Sequence, residues 1–287
     1  MEIGIHLRGR RATASPLRVP SGKEEIEALL RHEQAFAAPF FKFLETPYYA
    51  RSRWRLTGND SSSGLYMEAP IDGGTPSIYF QGDADATQEM LNHLDIPRYS
   101  YLSCFDHQLP VLNQHFFMKS LQHLSRMRVS GQTFSGVQTS RAVSVGADRL
   151  SSINDLYGVD SGAWVTFRQV SDGIYYGIWD EGRLVSIAGT QSSSRPYGIA
   201  MVANVLTHPA YRGLGYATEC VGALTQRLLE DLDMVVLNVD PKNSSAMHVY
   251  QKLGYQEAGA MAEAWAVWKG RHWWDKVLAT IYSFMPD

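Results

Sequence analysis

The stretch from Val202 to Tyr255 constrains this chain more than any other. The apolar run Val202 to Leu206 leads into Thr207-His208-Pro209-Ala210-Tyr211-Arg212-Gly213-Leu214-Gly215-Tyr216-Ala217. Cys220, Val221, Leu224, Leu228 and Leu229 then recur at helical spacing, so a strand passes through a glycine turn into an amphipathic helix. Met234 to Val239 forms a second apolar strand, stopped by Asp240-Pro241-Lys242-Asn243, which also opens a second helix. Asn243, Ala246 and Tyr250 fall on one face of that helix, and Gly254 is placed to end it in a left-handed conformation.

A helix that starts at a glycine turn exposes backbone N–H groups with no internal partner, and its dipole adds positive potential there. Together they make an anion site. Gly213 and Gly215 let the backbone approach a pyrophosphate without an intervening Cβ, and Arg212 adds a charge-assisted donor. Taken alone, the turn is equally an ordinary glycine-bearing opening to a helix. A dinucleotide site is disfavoured, because the G-x-G-x-x-G spacing is absent and no acidic ribose ligand ends the next strand.

Composition narrows the field. A chain of 287 residues fits two domains or one large one, and 45% hydrophobic with 19% charged residues suits a globular core. A net charge of -3 provides no basic footprint for nucleic acid. Arg8, Arg10, Arg11 and Arg18 form a locally basic arm with no apolar run behind it, so no secretory signal is expected. The apolar runs fall short of the ~20 residues that span a bilayer. The two cysteines, Cys104 and Cys220, lie far apart, which suits a reducing, cytoplasmic setting, with Cys220 a buried thiol in its helix. No Cys or His pair has metal-ligand spacing, and no metal is expected.

In the first half, the capping pattern Ser21-Gly22-Lys23-Glu24 predicts a helix from about Gly22 to Ala37, closed by Pro39. Strands are expected at 53–57, 65–68 and 77–80, separated by Gly58-Asn59-Asp60 and Asp72-Gly73-Gly74 turns. A helix at 84–94, a strand at 99–103, a helix at 109–117 and a strand at 126–129 follow. The polar, Gly-rich Ser130 to Gly136 suggests a boundary, giving domains 1–133 and 134–287. In the second half, a strand at 141–145 and a helix at 147–156 precede two strands, 174–179 and 184–190, joined by Asp180-Glu181-Gly182-Arg183 as a hairpin. Gly198 to Leu206 is nearly all apolar and reads as a central strand.

The order of R-x-x-G-x-A after a strand and N-x-x-A-x-x-x-Y-x-x-x-G-Y after the next resembles the GCN5-related N-acetyltransferase (GNAT) superfamily, over about Arg141 to Val267. The resemblance implies an α/β (α+β) fold, with a central mixed, mostly antiparallel sheet flanked by helices. It also implies acetyl-CoA or another acyl-CoA as co-substrate and a primary amine, small-molecule or protein, as acceptor. Backbone groups of Val205, Leu206 and Thr207 would pair with the pantetheine arm. Arg212, Gly213, Leu214, Gly215, Tyr216, Ala217 and Thr218 would hold the pyrophosphate, and Asn243 and Ala246 would lie near the arm. Tyr250 would be the catalytic acid beside the thioester sulfur.

The chemistry agrees, since expelling a thiolate calls for backbone donors at the carbonyl and an acid at sulfur. Tyr250 alone would read as a packed helix aromatic. Many members carry a glutamate on the central strand as base, and Ile199 to Val205 holds no acid. Asp160, Tyr175, Tyr176 and His208 are unranked alternatives, and a chain that binds acyl-CoA without catalysis stays open. Trp265, Trp268, Trp273 and Trp274 either line an acceptor pocket or fill a core. The element order of the first half follows the same family fold, but Gln81-Gly82-Asp83-Ala84 stands where the phosphate loop belongs, and an acid there repels pyrophosphate. The expectation is a tandem arrangement with a degenerate first copy, as a monomer or homodimer, with no nucleic-acid or membrane partner.

Overall fold

The computed structural model describes residues 17–281 apart from 60–61, 71–73, 138–140, 161–163, 271–273, 276 and 278–279. Arg8, Arg10, Arg11, Asp60, Asp72, Gly73 and Trp273 lie outside the described residues.

Helices α1 (Lys23–Arg31), α2 (Gln34–Phe43) and α3 (Tyr48–Arg51) come first. They lead into strands β1 (Arg53–Asn59), β2 (Ser62–Pro70) and β3 (Pro76–Gln81), then α4 (Ala84–His93), β4 (Tyr99–Phe105), α5 (Leu109–His115) and β5 (Phe116–Ser130). After the two-residue β6 (Val143–Ser144), the order repeats: α6 (Leu150–Asp160), α7 (Phe167–Asp172), β7 (Tyr175–Asp180), β8 (Arg183–Ser194) and β9 (Ile199–Thr207). Then come α8 (Tyr216–Leu229), β10 (Met234–Val239), α9 (Ser244–Lys252) and β11 (Gln256–Trp268). Helices, a three-stranded meander, helix, strand, helix, strand is therefore written twice. Pairing is antiparallel in the meanders and parallel where a helix crosses over, at β3–β4 and β9–β10.

By compactness, the chain divides into two units that interleave these halves. One contains Arg53–Lys119 with the described parts of 1–21 and 265–287; the other contains Gly22–Ser52 and Ser120–Ala264. The contiguous division at residue 133 follows the repeated order of elements, whereas the units follow packing: α2 contacts β8, β9 and β10 of the second half. In the first unit β1, β2, β3 and β4 lie side by side with α4 against β1 and β2. Trp265 stacks on Tyr99 at 5.6 Å and Trp268 packs on His115 and Phe116, so both tryptophans fill this unit.

In the second unit the strand order is β5-β10-β9-β8-β7-β6. Cys220, Val221 and Leu224 of α8 pack on Val202, Val235 and Leu237, while Ile153, Leu156 and Val170 of α6 and α7 pack on Tyr175 and Ile187. Neighbouring Ile187 and Ala188 belong to different clusters, as alternation along a strand requires, so the two sets of helices cover opposite faces. Cys104 and Cys220 are both buried; burial pushes the Cys220 thiol up to about 12, in keeping with an inert core residue.

Three local expectations are corrected. The single helix over 22–37 is two helices, and Pro39 lies inside α2 instead of closing it. A proline there leaves the carbonyl four residues back without its helical donor. Nη1 of Arg126, fully buried on β5, donates to that carbonyl, Ala35 O, at 2.8 Å. The strand at 141–145 contracts to β6, and α7 and β11 are elements the periodicity did not reveal.

Candidate active site

The parallel pairing of β9 with β10 runs from Ile199↔Met234 to Val202↔Leu237 and no further. Burial changes at the same point: 199–202 are buried and 203–207 half-exposed. On its other side β9 remains paired with β8 through Thr207. The outer half of β9, including Val205, Leu206 and Thr207, is thus a strand edge turned toward a wedge between β9 and β10. Such an edge can bond an extended amide-bearing chain through its backbone. Pairs Ile187↔Leu206 and Gly189↔Ala203 leave Ala188 opposite both Asn204 and Val205, which is a β-bulge, and Asn204 has φ of 55°.

From Thr207 the chain turns through 209–211 into the loop ahead of α8. Gly213 and Gly215 both have φ of 80°, where a side chain is strained, and a Cβ on either would meet nothing within 4 Å. Gly215 is the N-cap of α8 and supplies no side-chain acceptor, so the first-turn N–H groups at Tyr216, Ala217 and Thr218 face outward without a cap. Glycine is therefore required twice, for conformation and for an open approach.

The charges around this loop are arranged in pairs. Arg212 is ion-paired with Asp160 at the end of α6, and its Nε donates to Thr207 O at 3.3 Å. Arg141 pairs with Glu219 in the first turn of α8 and lies over the Tyr216 ring, 4.6 Å from its centroid. The Arg141 hydrogen bond holds the Glu219 carboxyl below its ordinary range. Arg141 was not singled out from sequence, where 78 residues separate it from its partner and no motif contains it. With both arginines matched to acids, attraction for an anion comes chiefly from the backbone and helix dipole.

Beyond β10, Asn243 is the N-cap of α9, and its Oδ1 accepts from Ala246 N at 3.1 Å. Its remaining Nδ2 donors are what it can offer a ligand. Tyr250 lies two turns along that helix, buried at 6% exposure beside Tyr255. Burial pushes its hydroxyl up to about 12, so it stays protonated at neutral pH.

The four candidate bases separate. Asp160 is committed to Arg212, and His208 accepts from Ala210 N at 3.2 Å. Tyr175 accepts from Asn204 Nδ2 at 3.2 Å, and burial raises its hydroxyl further from ionisation. Tyr176 is half-buried in the α8 core cluster. A carboxylate that sequence reading passed over is Glu263 on β11, which accepts from Asn238 Nδ2 at 3.0 Å. Asn238 is the first β10 residue beyond the last β9 pair, and its Oδ1 accepts from Arg126 Nε at 2.6 Å. Along β11 alanine alternates with Gly259, Met261, Glu263, Trp265 and Val267, and no motif marks Glu263. Among the described residues no group of His, Cys, Asp and Glu has the arrangement of a metal site, and no helix is long and apolar enough to cross a membrane.

Known proteins resemble this chain in part of its sequence and in its fold. The sequence model of the acetyltransferase (GNAT) family matches residues 151–255. A Drosophila protein of known structure is similar over 88% of this chain and 99% of its own, with 13% identity and a TM-score of 0.66. A GCN5-related N-acetyltransferase from Kribbella flavida is similar over 85% of this chain and 97% of its own, with 15% identity and a TM-score of 0.58. A protein from Novosphingobium aromaticivorans, described as a GNAT-family acetyltransferase, covers 70% of this chain and 92% of its own length, with 19% identity and a TM-score of 0.52. At these identities the likeness is one of fold, and it extends across most of the chain.

Proposed function

We propose, from the match of residues 151–255 to the acetyltransferase (GNAT) family model, an acyl-CoA-dependent N-acyltransferase that uses acetyl-CoA as donor and a primary amine as acceptor. The observation that carries this reading is the succession of two openings along one segment: β9 parts from β10 after Val202, and once β9 has ended at Thr207 the chain turns and enters, at Gly215, the uncapped N-terminus of α8.

The residues suit such a donor. The edge at Val205, Leu206 and Thr207 offers alternating N–H and C=O groups to an amide-bearing arm. The amides from Gly213 to Thr218 offer donors to a pyrophosphate, and Arg212 can exchange Asp160 for it. Asn243 and Ala246 open α9 beside this edge, and Tyr250 follows on the same helical face. The bound donor supplies an activated thioester, and the protein has to orient it, stabilise charge at its carbonyl oxygen and protonate the departing sulfur.

Tyr250 is the group assigned to sulfur. A hydroxyl near pKa 12 is a weaker acid than a thiol near 8.5, so full transfer to a thiolate is uphill. Tyr250 therefore acts first as a hydrogen-bond donor as charge builds on sulfur, and the proton surrendered by the attacking amine completes the balance. Atoms close without an acyl-enzyme: the amine nitrogen gains the acyl group and loses a proton, and sulfur leaves as a thiol. Glu263, anchored by Asn238 at the mouth of the wedge, is the carboxylate assigned to receive the amine's proton, through water if the amine stands off.

A second reading, donor binding without transfer, is favoured by one observation: β9 carries no acid, and Asp160 and His208 are already engaged. Calorimetry with acetyl-CoA, followed by an acetylation screen across an amine library, separates the two. Binding with turnover on at least one amine supports the transferase. Binding with no turnover on any amine supports the second reading, and no binding at near-millimolar acetyl-CoA contradicts both.

A further inference from the structure

Asn204 is one of three non-glycine residues with positive φ among the described residues, and it stands at the bulge where β9 leaves β10. Three elements converge on it. From α6, the Tyr157 hydroxyl donates to the Asn204 carbonyl at 2.7 Å. From β7, the Tyr175 oxygen accepts from Asn204 Nδ2 at 3.2 Å. From β8, Gly189, paired with both Tyr175 and Ala203, leaves room for the Tyr175 ring: a Cβ on Gly189 would stand 2.1 Å from it. Tyr157 and Tyr175 are themselves buried, at 2% and 1% exposure, and burial keeps both hydroxyls protonated at neutral pH.

We propose that Tyr157 and Tyr175 are positioning residues for the acyl donor, a clamp that holds Asn204 in its left-handed conformation and so sets the direction of the backbone that the donor binds. The proposal rests on the acyl-CoA reading above. Because the peptide is planar and trans, fixing the Asn204 carbonyl toward Tyr157 fixes the Val205 N–H in the opposite direction. Val205 is the first of the three β9 residues assigned to the donor. A bulge with its first residue left-handed also bends the strand that carries it and adds twist, which is the departure of β9 from β10 seen beyond Val202. Asparagine tolerates this conformation better than other side chains, though less well than glycine. The clamp supplies the remainder, and neither tyrosine needs to touch the donor.

Acetyl-CoA affinity by calorimetry, at a temperature where circular dichroism shows each variant folded, tests this with Tyr157→Phe, Asn204→Ala and Asn204→Gly. Losing one buried hydrogen bond at the bulge should weaken Tyr157→Phe by about 10-fold. Asn204→Ala should lose at least about as much, while Asn204→Gly, free to hold positive φ, stays within about threefold of the unaltered protein. That contrast belongs to backbone conformation, because both variants remove the same side-chain bond to Tyr175. Equal losses for alanine and glycine, or a folded Tyr157→Phe that binds normally, overturn the clamp and leave the acyl-CoA reading standing. If Tyr157→Phe does not fold, the alanine and glycine pair decides alone. An unaltered protein with no affinity for acetyl-CoA refutes the reading and the clamp together.

Discussion

At the start of α4 the Asp83 carboxylate accepts from Ala86 N at 2.8 Å, and a Cβ on Gly82 would lie 2.7 Å from the Ser63 carbonyl. At the start of α8 no side chain caps the helix, and Gly213 and Gly215 face open space. Both helices follow the third strand of a meander and lead to a strand parallel to it. The strands differ in the same sense: β3 continues two residues past its last pair with β4, at Tyr79, whereas β9 continues five past Val202. One copy of the motif thus satisfies its own helix terminus and fills its turn, and the other leaves both open. An anion site needs the second condition, and a shared order of elements does not confer it.

The largest expected effect comes from closing the open copy. Gly215→Glu places a side chain on a positive φ and a carboxylate where the pyrophosphate is assigned, and it should cost more than about 100-fold in acetyl-CoA affinity with circular dichroism unchanged. Tyr250→Phe should come next, lowering kcat by about 10- to 100-fold with the KM for acetyl-CoA nearly unchanged. Since the Tyr250 hydroxyl lies near 12, kcat should show no loss from its ionisation below about pH 10; a descending limb that vanishes in Tyr250→Phe and centres near pH 8 would contradict the raised value of the hydroxyl, though not its contact with sulfur.

The same raised value affects stability. The neutral hydroxyl is favoured in the fold, so its contribution is fully present below the ordinary tyrosine value of about 10 and is lost as pH rises toward 12. Denaturant titrations across that window should show a smaller alkaline loss for Tyr250→Phe than for the unaltered protein. In the closed copy, Asp83→Ala should remove about 1 kcal/mol of stability, measured by urea unfolding, and leave acetyl-CoA affinity unchanged. The smallest effect is expected at Asp160→Asn, which frees Arg212 and should tighten acetyl-CoA binding by about two- to fivefold at low salt, less as salt rises.

What could be read in the sequence was local. The segment 202–255 carries its own strand periodicity, glycine turn, helix face and cap, all within a few residues of one another, and β9, α8, β10 and α9 appear where those signals lie. Pro39 was misjudged because its tolerance depends on Arg126, 91 residues from the carbonyl it serves. The partnership of Arg141 with Glu219, and of Asn204 with Tyr157 and Tyr175, likewise joins distant segments that leave no spacing to detect. From sequence Trp265 and Trp268 read as core residues ahead of pocket residues, and their stacking on Tyr99 and His115 agrees with packing. Missing acids on β9 were visible at once; Glu263 is marked only by its hydrogen bond from Asn238, 25 residues away on another strand.

A calorimetric titration of the full chain with acetyl-CoA tests the difference between the two copies most directly. Binding of one equivalent per chain, abolished by Gly215→Glu and retained by Asp83→Ala, is the expected result. Two equivalents per chain, or binding that survives Gly215→Glu, would contradict the assignment of the donor site to the open copy.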